Sequence, residues 1–258
     1  MTNNDFYPSA INAGDCVSNA WNLVKQNYGM YLGIALVAMI LAGCIPCVSL
    51  FLVGPIIGGV YYVLLREMRG EPVEFGMMFK GFEKFVPLMV IGLVQAIPEI
   101  IGQGLRLVAQ FGQIGLSGDK NKDFFQSSNP DFAIASGLLI VIAIVAVALI
   151  LFGIAWRVLL FFAIPIALER DLGPVDAMRL SAKAAMSNVG GLIVLFIFEF
   201  LLALLGIIAL CIGIFFVIPI IYAANAFAYR QVFPLIQQNF NMTPPPPTTY
   251  GDFGSGMQ

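Results

Sequence analysis

The sequence predicts an all-α fold, a polytopic membrane helix bundle with about six transmembrane helices, interfacial amphipathic helices and two parallel repeats. Three observations carry this. The 258 residues are 59% hydrophobic and 11% charged, with a mean hydropathy of +0.89, whereas soluble domains run near 25% charged. Between Lys183 and Arg230 the only charged residue is Glu199, far more apolar length than the ~20 residues one bilayer crossing needs. Residues 26–65 carry no charge at all.

Composition also excludes functions. The chain has no histidine, which removes Ser-His-Asp and Cys-His devices and the HExxH zinc site. A net charge of −2 without a basic cluster argues against nucleic acid as a partner. The polar start, MTNNDFYPSAINAGD, lacks the basic and apolar regions of a cleavable signal, so insertion falls to the first spanning helix. No cofactor, no metal site and no enzyme activity are expected.

Residues 1–14 read as a flexible arm, before a single membrane domain over 15–235. From Asp15, a candidate N-cap, the residues Val17, Ala20, Trp21, Val24 and Tyr28 recur at helical spacing. This predicts an interfacial helix, the alternative being an extension of the first span. Cys44-Ile-Pro-Cys47 divides the uncharged run into spans near 30–45 and 49–66, the second ending at Arg66, which can snorkel to the headgroups. Phe75, Met78, Phe79, Phe82 and Phe85 then form an aromatic stripe opposite Lys80, Glu83 and Lys84, a second interfacial helix.

A less apolar third span follows near 86–105, with Gln95, Pro98, Glu99 and Gln103. The segment 106–131 is the sizeable polar loop, and the fourth span covers 132–156, its helix running on through Trp156-Arg157 towards Ala167. After the turn 169–175, an amphipathic helix from Asp176 leads into a hairpin of two spans broken near Gly213 and Pro219. Residues 236–258, with TPPPPTT, read as a disordered, proline-rich cytoplasmic tail.

Six spans place both termini on one side. Ten of the 13 basic residues fall on that side, and Arg106, Lys120 and Lys122 fall opposite. The positive-inside rule then puts both termini in the cytoplasm of a cell bounded by a bacterial inner membrane.

Repeat units cover 15–66 and 176–230. A shift of 161 aligns Asp15 with Asp176, Asn27 with Asn188 and Gly29 with Gly190. A shift of 164 aligns Cys47 with Cys211, Pro55 with Pro219 and Arg66 with Arg230. Both units start and end on the same side, which makes them parallel. The runs GPIIGGVYYVLLREMRGEPVEFGMMFKGFEKF, AIPIALERDLGPVDAMRLSAKAAMSN and IGIFFVIPIIYAANAFAYRQVF resemble a bacterial membrane family of unknown function, number 975. More loosely, they are similar to the membrane domain beside some glycerophosphodiester phosphodiesterases. The resemblance covers roughly 15–235 and implies a six-span fold with interfacial helices, without an established activity or catalytic residues.

Among the polar residues, Cys44, Cys47 and Cys211 stand at the two hairpin turns. They read either as small packing residues or as partners in a structural disulfide facing an oxidising compartment. Glycines such as Gly54, Gly58, Gly59, Gly92, Gly191 and Gly206 let helices approach closely. Asp119, Asp123 and Asp131 belong to a solvated loop that could also bind a divalent cation. Glu199 lies roughly 16 Å into the bilayer, counted from Asn188, and Ala38 holds the matching place in the first repeat. Gln95, Tyr222 and Asn225 complete a candidate intramembrane polar site. A hydrogen bond from Glu199 to Gln95 or Tyr222 is expected, with Arg157 too near the surface to be the first choice.

With the lipid bilayer as one partner, the leading functional expectation is a non-catalytic scaffold that docks envelope proteins through its interfacial helices or tail. The alternative is a carrier for a small or lipid-like solute passing between the repeats. The topology is testable on its own. In a cysteine-free background, single cysteines from Ser127→Cys and Ser255→Cys should label from opposite sides of the membrane, and same-side labelling would rule six spans out.

Overall fold

The computed structural model describes residues 6–43, 46–116, 130–208 and 213–234. Cys44, Cys211 and the side chain of Cys47 lie outside the described residues, as do Asp119, Asp123, the side chain of Asp131 and the tail. The described residues form helices and the segments that connect them, without strands. The first half comprises α1 (Ala13–Val24), α2 (Tyr28–Gly43), α3 (Pro46–Glu67), α4 (Phe85–Gln95) and α5 (Ile97–Leu116). The second comprises α6 (Pro130–Leu159), α7 (Ala163–Arg170), α8 (Pro174–Ser187), α9 (Val189–Ile208) and α10 (Gly213–Val232).

Among the described residues five helical runs are long and apolar enough to cross a membrane, and a sixth if Phe75–Gln95 and Ile97–Leu107, bent by 47° at their junction, form one span. On α6 and α9 the side chains of Ile144, Ile150, Leu151, Ile193, Ile197 and Phe200 are exposed. A contiguous surface of that kind is untenable in water but suits lipid. This is a multi-pass membrane helix bundle.

Asn12, rather than Asp15, caps α1: its side chain accepts from the Asp15 N–H. Nor does α1 stand apart as a surface helix. With the 3-10 turn Lys25–Asn27 it continues into α2 as one candidate span, Ala13–Leu41. It runs antiparallel along α10, Asn12 and Cys16 bonding to Gln231 at one end and Tyr28 to the Phe216 carbonyl at the other. The predicted stripe divides: Ala20 and Val24 are buried together with Ala13 and Cys16, whereas Trp21 is exposed. Part of the expected arm is also held. Tyr7 and Ser9 donate backbone bonds to Val232 and Ser187, and Asn188 accepts from Ala10 and donates to Tyr7.

The aromatic stripe forms a 3-10 segment, Phe75–Lys84, and its outer edge is free, with Phe75 and Phe79 exposed. Its inner edge lies in a seat made of glycine. A Cβ on Gly59 would stand 1.7 Å from the Met78 carbonyl oxygen, and one on Gly54 would stand 2.0 Å from that of Leu88. Gly81 and Gly92 make the reciprocal approach from the other side, towards Pro55, Gly59 and Gly54. Backbones this close pack by dispersion where the hydrophobic effect between helices is absent.

Two helix breaks are closed by side chains from other elements. Pro98 has no N–H for the Val94 carbonyl four residues back, and the Trp156 indole donates to that carbonyl instead at 2.8 Å. Between α6 and α7, where the sequence suggested a continuous helix, the chain turns at residues 160–162. Ser181 of α8 donates to the Leu159 carbonyl and accepts from the Phe162 N–H, and Gln95 donates to the Leu160 carbonyl at 2.9 Å.

The glycine seat yields a sharp test. Gly59→Ala should destabilise the bundle by on the order of 3 kcal/mol, because backbone and not a flexible side chain must move. Gly29→Ala, which meets nothing within 4 Å, should be neutral or stabilising by up to about 1 kcal/mol. Unfolding titrations in mixed micelles measure both, and equal effects would refute the seat.

Candidate functional site

Of the four residues singled out for an intramembrane site, the structure brings three together. Asn225 and Tyr222 sit three residues apart on α10 and so share a face. Asn225 presents its side chain to the Glu199 carboxyl of α9, and Tyr222 lies within electrostatic reach of that carboxyl. Gln95 is elsewhere, bound to the Leu160 carbonyl. Neither expected hydrogen bond forms: Asn225 is the polar neighbour of Glu199, and Gln95 closes a helix break.

The sequence reading missed Tyr61 of α3, which is buried and meets Tyr222 edge-on at 6.2 Å and 85°. Nothing in its local pattern distinguishes it from the apolar residues of its span. Arg157, set aside on depth, is a cation within electrostatic reach of Glu199, Tyr61 and Tyr222. The cluster thus draws on α3, α6, α9 and α10. Asn225 hydrogen-bonds the Glu199 carboxyl, and each of the two side chains keeps one oxygen over. Glu199 Oε1 and Asn225 Oδ1 are buried without a hydrogen-bond partner, and an unmet buried acceptor costs about 1–3 kcal/mol.

A second polar centre lies where three candidate spans end, Leu50–Glu67, Ile144–Arg170 and Gly213–Val232. The Glu169 carboxylate of α7 is 16% exposed and faces Arg230, 11% exposed, in a two-point ion pair with both N···O distances 2.8 Å. Tyr229 donates to the same carboxylate at 2.8 Å, and Arg69 joins it at 2.8 Å. Beside it is a cavity of about 180 Å³ lined by Tyr62, Arg66, Arg69, Glu71, Leu168 and Glu169, among others. Lys84 is spent nearby on Asp171 and the Leu168 carbonyl, an anchor that suits the left-handed conformation of Asp171, φ 51°. The sequence signal for this centre was the E-R-D closing an apolar run, which was read only as a turn.

Among the described residues no cluster of three or more His, Cys, Asp or Glu could hold a metal ion. No family model matches the chain, and no solved structure matches it. It is similar to the uncharacterised protein Rv2560 of Mycobacterium tuberculosis, 23% identical over 242 residues, 87% of this chain and 69% of that protein. Its likeness to the uncharacterised protein Mb2590 of Mycobacterium bovis has the same identity and coverage. The likeness spans nearly the whole bundle and attaches no activity to it.

Glu169 can be weighed by mutation. Glu169→Ala leaves Arg230 and Tyr229 without their acceptor, and breaking a mostly buried pair costs about 3–5 kcal/mol. A loss of on the order of 3 kcal/mol is expected in denaturant titrations of the purified protein. A change below about 0.5 kcal/mol, the scale of an exposed pair, would show the cluster to be peripheral.

Proposed function

We propose that this chain is a non-catalytic protein of a bacterial inner membrane, both termini cytoplasmic, whose bundle binds a small solute carrying hydrogen-bond donors beside Glu199. The observation that supports this is the pair of buried, unpartnered acceptors, Glu199 Oε1 and Asn225 Oδ1. Ionisable groups inside the membrane are expensive, and by default they mark a site. A purely structural Glu–Asn pair would be expected to meet its own acceptors.

The carrier reading follows from this chemistry better than the scaffold. A primary amine, an ammonium group or a pair of hydroxyls can donate to two adjacent acceptor oxygens, and the Tyr61 and Tyr222 hydroxyls supply further polar contacts. The repeat reading fits as well, since Tyr61 comes from unit 15–66 and the other three residues from unit 176–230. Pro55 and Pro219, matched in the repeat alignment, are both buried inside helices, α3 and α10. The scaffold reading, docking through the interfacial helices or the tail, loses part of the first of those faces to α10 and keeps the exposed edge at Phe75 and Phe79. The likeness to family 975 implies the same frame and adds no substrate.

The two readings part in cells and in vitro. In a deletion strain, Glu199→Gln and Asn225→Leu should fail to complement, whereas truncation after Pro234 should complement. Purified wild-type protein should gain thermal stability from one or more members of a panel of amines and polyols, and Glu199→Gln should not. Full complementation by Glu199→Gln together with failure of the truncation would favour the scaffold and overturn the carrier.

A further inference from the structure

The arginine-lined cavity at the converging span ends carries a separate inference, independent of the Glu199 site. Its charges do not cancel. Glu169 is already neutralised by the two-point pair with Arg230 and by the Tyr229 hydroxyl, so Arg69 reaches it as an additional cation. Glu71, 40% exposed, is left to face both Arg66 at 3.2 Å and Arg69 at 3.7 Å. One positive charge therefore remains over the cavity. Hydrogen-bonding capacity is left over too. A guanidinium has five N–H donors, and Arg66 spends Nε on Glu71 and the Pro72 carbonyl and Nη1 on the Tyr62 hydroxyl. Its remaining donors are open to a ligand.

The cavity, about 180 Å³, has room for several waters at about 30 Å³ each, or for one compact anion. Leu168 gives it an apolar wall, and three candidate spans end beside it. Planar guanidinium forks match phosphate oxygens two at a time, and basic pockets between spanning helices recognise anionic lipid headgroups. The geometry points to a binding site for a phosphate group, held by Arg66 and Arg69 under the Tyr62 hydroxyl, with the Leu168 wall positioned for the glycerol or acyl part of an anionic phospholipid. A free phosphate ion shares the polar half of that chemistry.

The full chain in nanodiscs of phosphatidylcholine and phosphatidylglycerol provides the test, with retained lipid counted by native mass spectrometry. Wild-type protein should retain phosphatidylglycerol over phosphatidylcholine. Arg66→Gln should weaken retention about ten-fold, the scale of one lost charge-assisted hydrogen bond. Lys183→Gln, an exposed charge outside the cavity, should leave retention unchanged. Leu168→Trp fills the cavity with every charge intact and should abolish retention, which keeps the test valid if Arg66→Gln folds poorly. Displacement of the lipid by millimolar inorganic phosphate would assign the site to free phosphate, and resistance to it would assign the site to the headgroup. Either result supports a phosphate site. Equal loss on Lys183→Gln and Arg66→Gln would reduce the effect to general surface charge, and retention unaffected by Leu168→Trp would place the lipid elsewhere. Either of those overturns the proposal.

Discussion

Backbone groups freed inside an apolar slab must find partners within the protein, and this bundle is organised around meeting that demand. Lipid offers no donor or acceptor, so a broken helix is tolerated only where something else satisfies it. The chain breaks at the α4–α5 junction and again at residues 160–162, and both breaks are closed by side chains distant in sequence. Trp156 answers the carbonyl that Pro98 leaves open. Ser181 and Gln95 answer the α6–α7 turn. Each closure pins one element to another, so that α4, α6, α7 and α8 are fixed relative to one another by the cost of leaving a break unmet. Asn188 does the same for the N-terminal strap, accepting from Ala10 and donating to the carbonyls of Tyr7 and Ala184.

Van der Waals contact and charge finish what the break closures begin. In lipid, apolar burial alone gives helices little reason to associate, and close packing has to supply the difference. Glycine does this where α3 meets the Phe75–Lys84 segment and α4, and alanine does it along α10, where Ala223, Ala224, Ala226 and Ala228 are fully buried. At the span ends, where charges are tolerated, the Glu169 carboxylate ties α7 to α10 and to the residues just past α3. Charge-assisted bonds of this kind are roughly twice as strong as neutral ones, and their geometry sets where the arginine cavity lies.

Hydropathy made the membrane class and most spans legible, because the stretch from Gln26 to Leu65 and the one from Ala184 to Tyr229 admit no soluble reading. Close glycine packing was legible as well: Gly54, Gly58, Gly59 and Gly92 were chosen for that role and are used in it. Amphipathicity misled at α1. A stripe of Val17, Ala20, Trp21, Val24 and Tyr28 reports an apolar environment without saying whether lipid or another helix provides it, and only Ala20 and Val24 of it are buried. Helix-break partners were invisible for a related reason. Ser181 and Gln95 act on residues 22 and 65 positions away, and no local pattern encodes such a pairing. Glu169 was seen but misread, since a carboxylate at the end of an apolar run looks like an ordinary turn until three donors are placed on it.

That same economy is the argument for Glu199. Where this protein has a structural need for polarity, it matches donor to acceptor, as at Ser181, Trp156 and Asn188. Of the other buried atoms without a hydrogen bond among the described residues, all but Arg230 Nε have some account. Arg230 Nη2 stands against Glu169 at 2.8 Å, and Glu67 engages Asn27 through its second oxygen. The Tyr31 hydroxyl is a single group that can donate as well as accept. Glu199 and Asn225 leave two such acceptors on side chains that face each other from neighbouring helices. A third acceptor would worsen the arrangement, whereas a group with two N–H or O–H donors resolves both deficits. A costly ionisable residue set beside an unmet acceptor fits a group retained for what it binds.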